Sequence, residues 1–429
     1  MSVLGDLRIV AVHPGFRKLF TVRLVSQCGD GMFQAGLATL FFFAPERMAT
    51  AADVAAAFAV LLLPFTVVGP FAGPLLDRWR RRQVLLIGNA VRVVLALGIA
   101  ALMVTVGVGP AVYVLALVTL GVNRFLLSAL SAGLPRVVPR DQLLMANTIT
   151  PTLGAVAAVV GGVLGFAVGL LLPDGQARDG AVLVGAALLF ASASALALRL
   201  RADELGPDEP GGRLWTALRA TVLDLVAGAR HLVERRTPAL ALGVMGIHRF
   251  LYGANFIALI LIARNLLSDP ADAGEGLATF GLLLGISFAG NGLAILLTPL
   301  AHERMSEAAW IVVCLGLGAL SQVLLVGSAA FGVVATAAAI LGLSVQGAKI
   351  AVDTIVQRDT ADRFRGRAFA LYDVLYNAAF VGAAALAAAA LPDTGWSRGV
   401  FAALALVYVV LAVVYRRVTV ALRAGEAVG

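Results

Sequence analysis

Residues 73–86 read GPLLDRWRRRQVLL. Four arginines (Arg78, Arg80, Arg81 and Arg82) and one carboxylate, Asp77, stand between two apolar runs. In a water-soluble chain such a cluster would suggest a surface for phosphate or nucleic acid. Between two membrane crossings it would instead mark the side of the membrane on which the loop lies. The flanks decide. A helix needs about 20 predominantly apolar residues to cross the hydrocarbon, and 53–75 and 83–107 both supply them.

Over the 429 residues the same reading finds twelve such runs: 19–43, 53–75, 83–107, 110–134, 143–172, 180–198, 238–262, 276–300, 309–328, 330–352, 367–391 and 398–415. The chain is 60% hydrophobic and 14% charged, whereas soluble domains are about a quarter charged. Spanning runs must satisfy their own backbone hydrogen bonds and so read as helices. The alternation of a membrane barrel is missing. The expected fold class is an all-α membrane protein, with twelve transmembrane helices in two six-helix bundles. Cys28 and Cys314 lie in apolar runs and read as packing residues, with no disulfide or metal pair. The opening MSVLGDLRIVAVHPGFRKLF lacks the basic-then-apolar pattern of a leader.

The longest polar stretch divides the spans six and six, which gives bundles at 1–198 and 238–429 joined by a linker at 199–237. Within the linker, LWTALRATVLDLVAGARHLVERR reads as an amphipathic helix at the cytoplasmic interface, with Leu214, Leu218, Leu225 and Val226 toward one side. With both termini cytoplasmic, 24 of the 33 Lys and Arg fall on the inner side and only Arg47, Arg178, Arg264 and Arg398 on the outer. That bias fixes the orientation of a multi-pass cell-membrane protein. It also accounts for most of the net charge of +8 without a nucleic-acid partner.

The opening loop, with Gly73, Leu75, Asp77, Arg78, Arg81, Arg82 and Leu85, resembles the signature between spans 2 and 3 of the major facilitator superfamily; Arg80 replaces its second glycine. The resemblance implies two bundles around a midplane cavity that opens alternately to either side. TPLAHERMSEAAW (298–310), with Pro299 on Pro74 and Leu300 on Leu75, reads as a faint second copy. DTADRFRGRAF (359–369) is the expected partner of the first loop: Asp77 facing Arg365 or Arg367 would latch the cytoplasmic side, with Gly73, Arg78 and Arg81 around it. SQCGDGMFQ, LPRVVPRDQLLMANTITP and RFRGRAFALYD are similar to segments of the drug and siderophore exporters, the group of the enterobactin and macrolide exporters. Proton antiport is the coupling this implies, although the antiporter signature of span 5 reads here LGAVAAVVGG, with Ala157-Ala158 in place of Gly-Pro.

Charges inside a span cost roughly 2.5–3.5 kcal/mol even on lenient scales and so face a partner or a cavity. Arg23, Gln27, Asp30 and Gln34 share one helix face, as do Gln346, Lys349, Asp353 and Gln357. His248, Tyr252 and Asn255 lie in span 7, and Asp373, Tyr376 and Asn377 in span 11. Asp30 is the candidate coupling carboxylate, or else a structural partner of Arg92 or Arg124; Lys349 and Asp353 are spaced to pair. His248 reads as a proton relay or a satisfied hydrogen-bonder, and Arg23, Arg249 and Asp373 as span-end residues. Gly161, Gly165 and Gly169 mark a packing seam.

Hydrolase, metalloprotease and P-loop patterns are absent, so neither an enzyme nor an ATP-driven pump is expected, and no cofactor or metal. The function expected is secondary active export of an amphipathic or anionic organic molecule by a monomer, with protons as coupling ion. The alternative is a lipid or lysolipid flippase of the same fold.

Overall fold

The computed structural model describes residues 3–42, 50, 76, 79–107, 109–139, 142–172, 176–207 and 214–426. Among them there are helices and turns and no strand. In chain order the helices are α1 (Val3–Val10), α2 (Pro14–Phe42), α3 (Arg81–Thr105), α4 (Pro110–Gly133), α5 (Leu143–Leu171), α6 (Gln176–Ala197) and α7 (Leu214–Arg235). Then follow α8 (Thr237–Asn265), α9 (Ala273–His302), α10 (Glu307–Gly327), α11 (Phe331–Asp359), α12 (Asp362–Ala390) and α13 (Arg398–Glu426). Ten of the described helices, α3 to α6 and α8 to α13, are long and apolar enough to cross a membrane. Helix α2, with 29 residues, is one residue shorter than the longest of these but carries the polar series Arg23, Gln27, Asp30 and Gln34. The run at 53–75, expected as the second span, lies outside the described residues.

Several helices outrun the apolar segments that announce them. Helix α11 continues past residue 352 to Asp359, because its charged end still makes ion pairs along the helix and to α10. The eight-residue helix α1, which no apolar run marks, precedes α2.

Side-chain polarity is inverted relative to a soluble protein. Val94, Val163, Leu296 and Leu406 are each more than 60% exposed, while Asn89, Arg92, His248 and Ser344 are fully buried. Water would penalise such a surface; lipid tails accept it, and the interior gathers the groups that lipid rejects.

The described residues up to Phe41 and from Leu76 to Thr221 form one compact unit, and those from Val222 onward form another; the boundary falls inside α7. In the first unit α3 packs along α6 and α4, and in the second α10 packs along α13 and α11. The pairs α3–α6 and α10–α13 are the third and sixth expected spans of each half. Glycines set the closest approaches. A Cβ on Gly31 would collide with the Ala158 carbonyl oxygen and one on Gly161 with the Cys28 carbonyl oxygen, so α2 and α5 touch backbone to backbone. In the second unit Gly290 lies against the Ala339 carbonyl and Gly342 against the Ser287 carbonyl, joining α9 to α11. Without a hydrophobic drive between helices in lipid, such contact surfaces are what packing energy requires.

Helix α7 forms where the linker pattern places it; of the four residues expected on its apolar side, the side chains of Leu214 and Leu218 lie outside the described residues. Val226 is 60% exposed, whereas Gly228 and Leu232 are buried and Leu225 is half-buried. Gly228 faces Arg367 Cβ, which would lie 2.8 Å from a glycine Cβ, and His231 stacks on Phe364 with centroids 4.1 Å apart. The close contact with α12 selects the side holding the glycine over the side richest in branched carbons.

Candidate functional site

The first unit holds a buried charge network. Asp30 on α2 forms an ion pair with Arg92 on α3, with side chains 7% and 0% exposed. Arg92 Nη1 also donates to Ser26 Oγ at 3.2 Å and to Asn89 Oδ1 at 3.4 Å. Ser26 Oγ donates to Asn89 Oδ1 at 3.0 Å, and Asn89 Nδ2 to the Leu85 carbonyl at 2.9 Å. The Phe190 ring of α6 closes the far side, 3.6 Å from the Arg92 guanidinium carbon. A guanidinium sealed this completely is tolerable only with a carboxylate and further acceptors around it; of its nitrogens, the buried Nε has no acceptor among the described residues.

Of the two partners expected for Asp30, the structure selects Arg92. Arg124 sits half-buried on α4, where its carbonyl accepts from Ser128 Oγ at 3.1 Å. Gln34 is exposed and lies outside this network. Arg23 Nε donates to Gln27 Oε1 at 3.0 Å, and Gln27 fills the space beside Gly154 on α5. Ser26 and Phe190 were not singled out by the sequence. Ser26 is one turn before Asp30 on the same face, a usable signal; Phe190 has none.

The arginine loop is partly described. Gly73, Asp77 and Arg78 lie outside the described residues, as does the side chain of Arg365, so the expected latch does too. Arg81 Nη1 donates to the Leu205 carbonyl at 2.9 Å and its amide to the Gly206 carbonyl at 3.0 Å. Arg80 Nε lies 3.3 Å from Asp203, and Lys18 Nζ 3.6 Å from Glu204. Basic residues of this loop therefore hold the start of the linker. Arg367 pairs with Asp224 of α7 at 2.7 Å.

In the second unit His248 of α8 is fully buried. Its Nε2 lies 3.2 Å from Ser344 Oγ and its Nδ1 3.1 Å from Tyr408 Oη. Ser344 Oγ donates its own proton to the Cys314 carbonyl at 2.6 Å, so it accepts from Nε2–H, and Nδ1 accepts from Tyr408. Both ring nitrogens are thus used by one neutral tautomer, which favours the satisfied hydrogen-bonder over the relay. Next to this chain, Tyr252, Asn255, Ser287 and Ser321 line a cavity of about 30 Å³, the space of a single water. Asn255 Nδ2 donates to the Leu251 carbonyl at 2.9 Å, while its buried Oδ1 finds no protein donor.

The same unit displays charge on a more open face. Lys349 Nζ meets Asp353 Oδ2 at 2.6 Å, both side chains about a third exposed (35% and 33%). Lys349 also lies 5.9 Å from the Tyr372 ring centroid. Tyr376 and Asn377 are half-buried and Asp373 exposed on α12, and Asn377 Nδ2 donates to the Asp373 carbonyl at 2.7 Å. Arg249 is not at a helix end: it occupies the middle of the 29-residue α8. Its guanidinium carbon lies 4.0 Å from the Tyr376 centroid, 4.1 Å from Phe380 and 5.1 Å from Tyr252. Close approach of α8 to α12 at Gly246 and Gly253, against Leu375 and Ala383, makes the stack possible.

No family model matches the chain. It is 36% identical over 390 residues to an uncharacterized MFS-type transporter of Mycobacterium tuberculosis, covering 90% of this chain and 87% of the relative. The chain belongs to the major facilitator superfamily. A Mycobacterium bovis MFS-type transporter matches to the same extent. Among solved structures, the nucleoside transporter NupG aligns with a TM-score of 0.66 at 16% identity, covering 94% of this chain and 98% of that one. A POT peptide transporter variant gives 0.66 at 13% identity, covering 98% and 99%. A bacterial homologue of the lysosomal transporter Spinster, in an inward-facing and unoccupied conformation, gives 0.61 at 13%, covering 94% and 96%. At these identities the solved structures speak to fold. The protein is a membrane transporter of the MFS type.

Proposed function

We propose that the protein is a secondary transporter of the drug and siderophore exporter kind. In this reading it moves an amphipathic or anionic organic molecule outward by alternating access and is coupled to protons at Asp30. Two six-helix bundles, 1–198 and 238–429, joined by the linker 199–237 and with both termini cytoplasmic, are the frame of this reading. The observation that carries it is the Asp30–Arg92 pair, sealed beneath Phe190 with Ser26 and Asn89 as its polar neighbours. A proton on Asp30 cancels its charge and leaves Arg92 buried and uncompensated, which the surrounding helices must answer by rearranging. Breaking a buried pair on one side costs about 3–5 kcal/mol, ample to bias two packed states. Residues read as cargo contacts are Lys349, Asp353, Asp373, Tyr376 and Asn377 in the second unit, with Gln34 and Arg124 in the first.

The test is transport in proteoliposomes with and without an imposed pH gradient, using 2-naphthyl phosphate as an anionic probe and ethidium as a cationic one. Asp30→Asn alone also destabilises, so Asp30→Asn/Arg92→Gln, which removes both charges, is the informative variant. Gradient-driven accumulation in the wild type and its loss in the double variant is the expected result. A double variant that still follows the gradient would remove Asp30 from coupling.

A further inference from the structure

We infer that Arg249, clamped between the rings of Tyr376 and Phe380, is an anion-recognition residue that binds the phosphate or carboxylate head of an amphipathic molecule. This rests on the reading of the chain as a transporter and names the chemistry of its cargo.

Three observations carry it. First, Arg249 sits at mid-helix in α8, one of the helices apolar enough to cross a membrane, where an unneeded cation would be costly. Second, the described contacts of its guanidinium are with ring faces. Among the described residues no carboxylate is within ion-pair distance of it, in contrast to Arg92, Lys349, Arg358 and Arg367, which each have one. Rings packed against the guanidinium hold it in place, its buried Nε has no acceptor among the described residues, and a guanidinium carries its N–H donors as a planar fork. That fork is shaped for two oxygens of a phosphate or carboxylate. Third, the rings form a continuous aromatic cluster, with Tyr372 and Phe380 buried behind the half-buried Tyr252, Phe256, Phe280 and Tyr376, which can border an apolar body. Tyr252 lies 5.9 Å from Phe380, Phe256 5.9 Å from Phe380 and 5.6 Å from Phe280, and Tyr372 5.9 Å from Tyr376. Lys349 at the Tyr372 end is already paired with Asp353, so Arg249 is the cation of this face with no carboxylate at ion-pair distance among the described residues. Arg249 and Tyr252 are half-buried as residues, with the Arg249 Nε itself sealed.

A phosphate head can come from a soluble aryl phosphate or from a lysolipid, and the experiment separates the two. Binding to the full-length protein in detergent is measured by ligand-induced thermal stabilisation and by equilibrium dialysis, so that no transport is needed. The probes are 2-naphthyl phosphate, 1-oleoyl lysophosphatidate, and their uncharged analogues 2-naphthol and monoolein. The expected result is that at least one phosphate binds about tenfold or more tightly than its uncharged analogue. That preference should be abolished in Arg249→Gln and partly kept in Arg249→Lys. The Tyr376→Leu variant, which unclamps the guanidinium but keeps its charge, should weaken binding of the same phosphate. Preference for the naphthyl compound marks a soluble cargo, and preference for the lysolipid a lipid one; both support the site. Equal binding of phosphates and uncharged analogues, or phosphate binding unchanged in a folded Arg249→Gln, would overturn it. Transport that persists with no Arg249-dependent binding would sink this inference and leave the transporter reading standing. Arg249-dependent binding with no transport of any probe would do the reverse.

Discussion

The two halves handle buried polarity in opposite ways. In the first, a full ion pair, Asp30–Arg92, is closed off by Ser26, Asn89 and Phe190. In the second, the fully buried cluster is neutral, His248 between Tyr408 and Ser344, while Lys349, Asp353 and Arg249 lie on a half-open aromatic face and one further cation, Arg264, is buried at the end of α8. Both halves nonetheless pack their third and sixth expected spans together and both bring helices into backbone contact at glycines. A common scaffold therefore carries two kinds of interior. A sealed pair suits a group that gains or loses a proton and moves helices; a half-open face with charges of both signs suits groups that meet cargo.

The largest effect expected is on the sealed pair. Asp30→Asn should lower unfolding stability in detergent by about 3–5 kcal/mol, because Arg92 is left buried without its counter-charge. Asp30→Asn/Arg92→Gln should recover much of that loss. A double variant no more stable than the single would show that the pair is not the sealed unit described. Next, Gly161→Val or Gly290→Val forces a side chain into a carbonyl of the neighbouring helix. Each should cost about 1–3 kcal/mol, read as a shift in melting temperature. His248→Ala strips both Tyr408 and Ser344 of a partner and should cost about 1–3 kcal/mol. On the neutral-cluster account the gradient dependence of transport stays as in the wild type; a relay role predicts its loss. The smallest effect falls on α7. Val226→Lys should change stability by no more than about 0.5 kcal/mol, because Val226 is exposed. Leu232→Ala, on the packed side, should cost several times more.

How much of this was legible in the sequence follows the range of each interaction. Helices announced themselves through apolar runs, and pairs one turn apart, Lys349–Asp353 and Arg23–Gln27, could be read from spacing. The Asp30–Arg92 pair spans 62 positions and His248–Tyr408 spans 160; periodicity narrows such partners to a face and leaves the choice to packing. That is why Asp30 had two candidate partners and why Phe190 and Tyr408 gave no signal at all. Arg249, which snorkelling would place near a span end, lies at mid-helix because aromatic rings from α12 shelter it there, and nothing in its local sequence announces those rings. On α7 the glycine contact with α12 at Gly228 gave no sequence signal, and Val226, expected on the apolar side, is exposed. The GPLLDRWRRRQVLL loop showed a membrane protein through its flanks, and its Arg81 turned out to hold the linker at Leu205 and Gly206. Transport by an Asp77→Asn variant at normal expression, compared with wild type, tests the proposed gating role of that loop; undiminished transport would end it.

The most direct test of the division of labour is one set of proteoliposome measurements on three proteins: wild type, Asp30→Asn/Arg92→Gln and Arg249→Gln. Initial rates are recorded against concentration of whichever phosphate probe binds, at zero and at imposed pH gradient. The account predicts that the double variant loses the response to the gradient while its half-saturating concentration stays near wild type. Arg249→Gln should keep the response but need about tenfold more probe. Variants that alter the same parameter, or an Arg249→Gln protein with wild-type saturation, would contradict it.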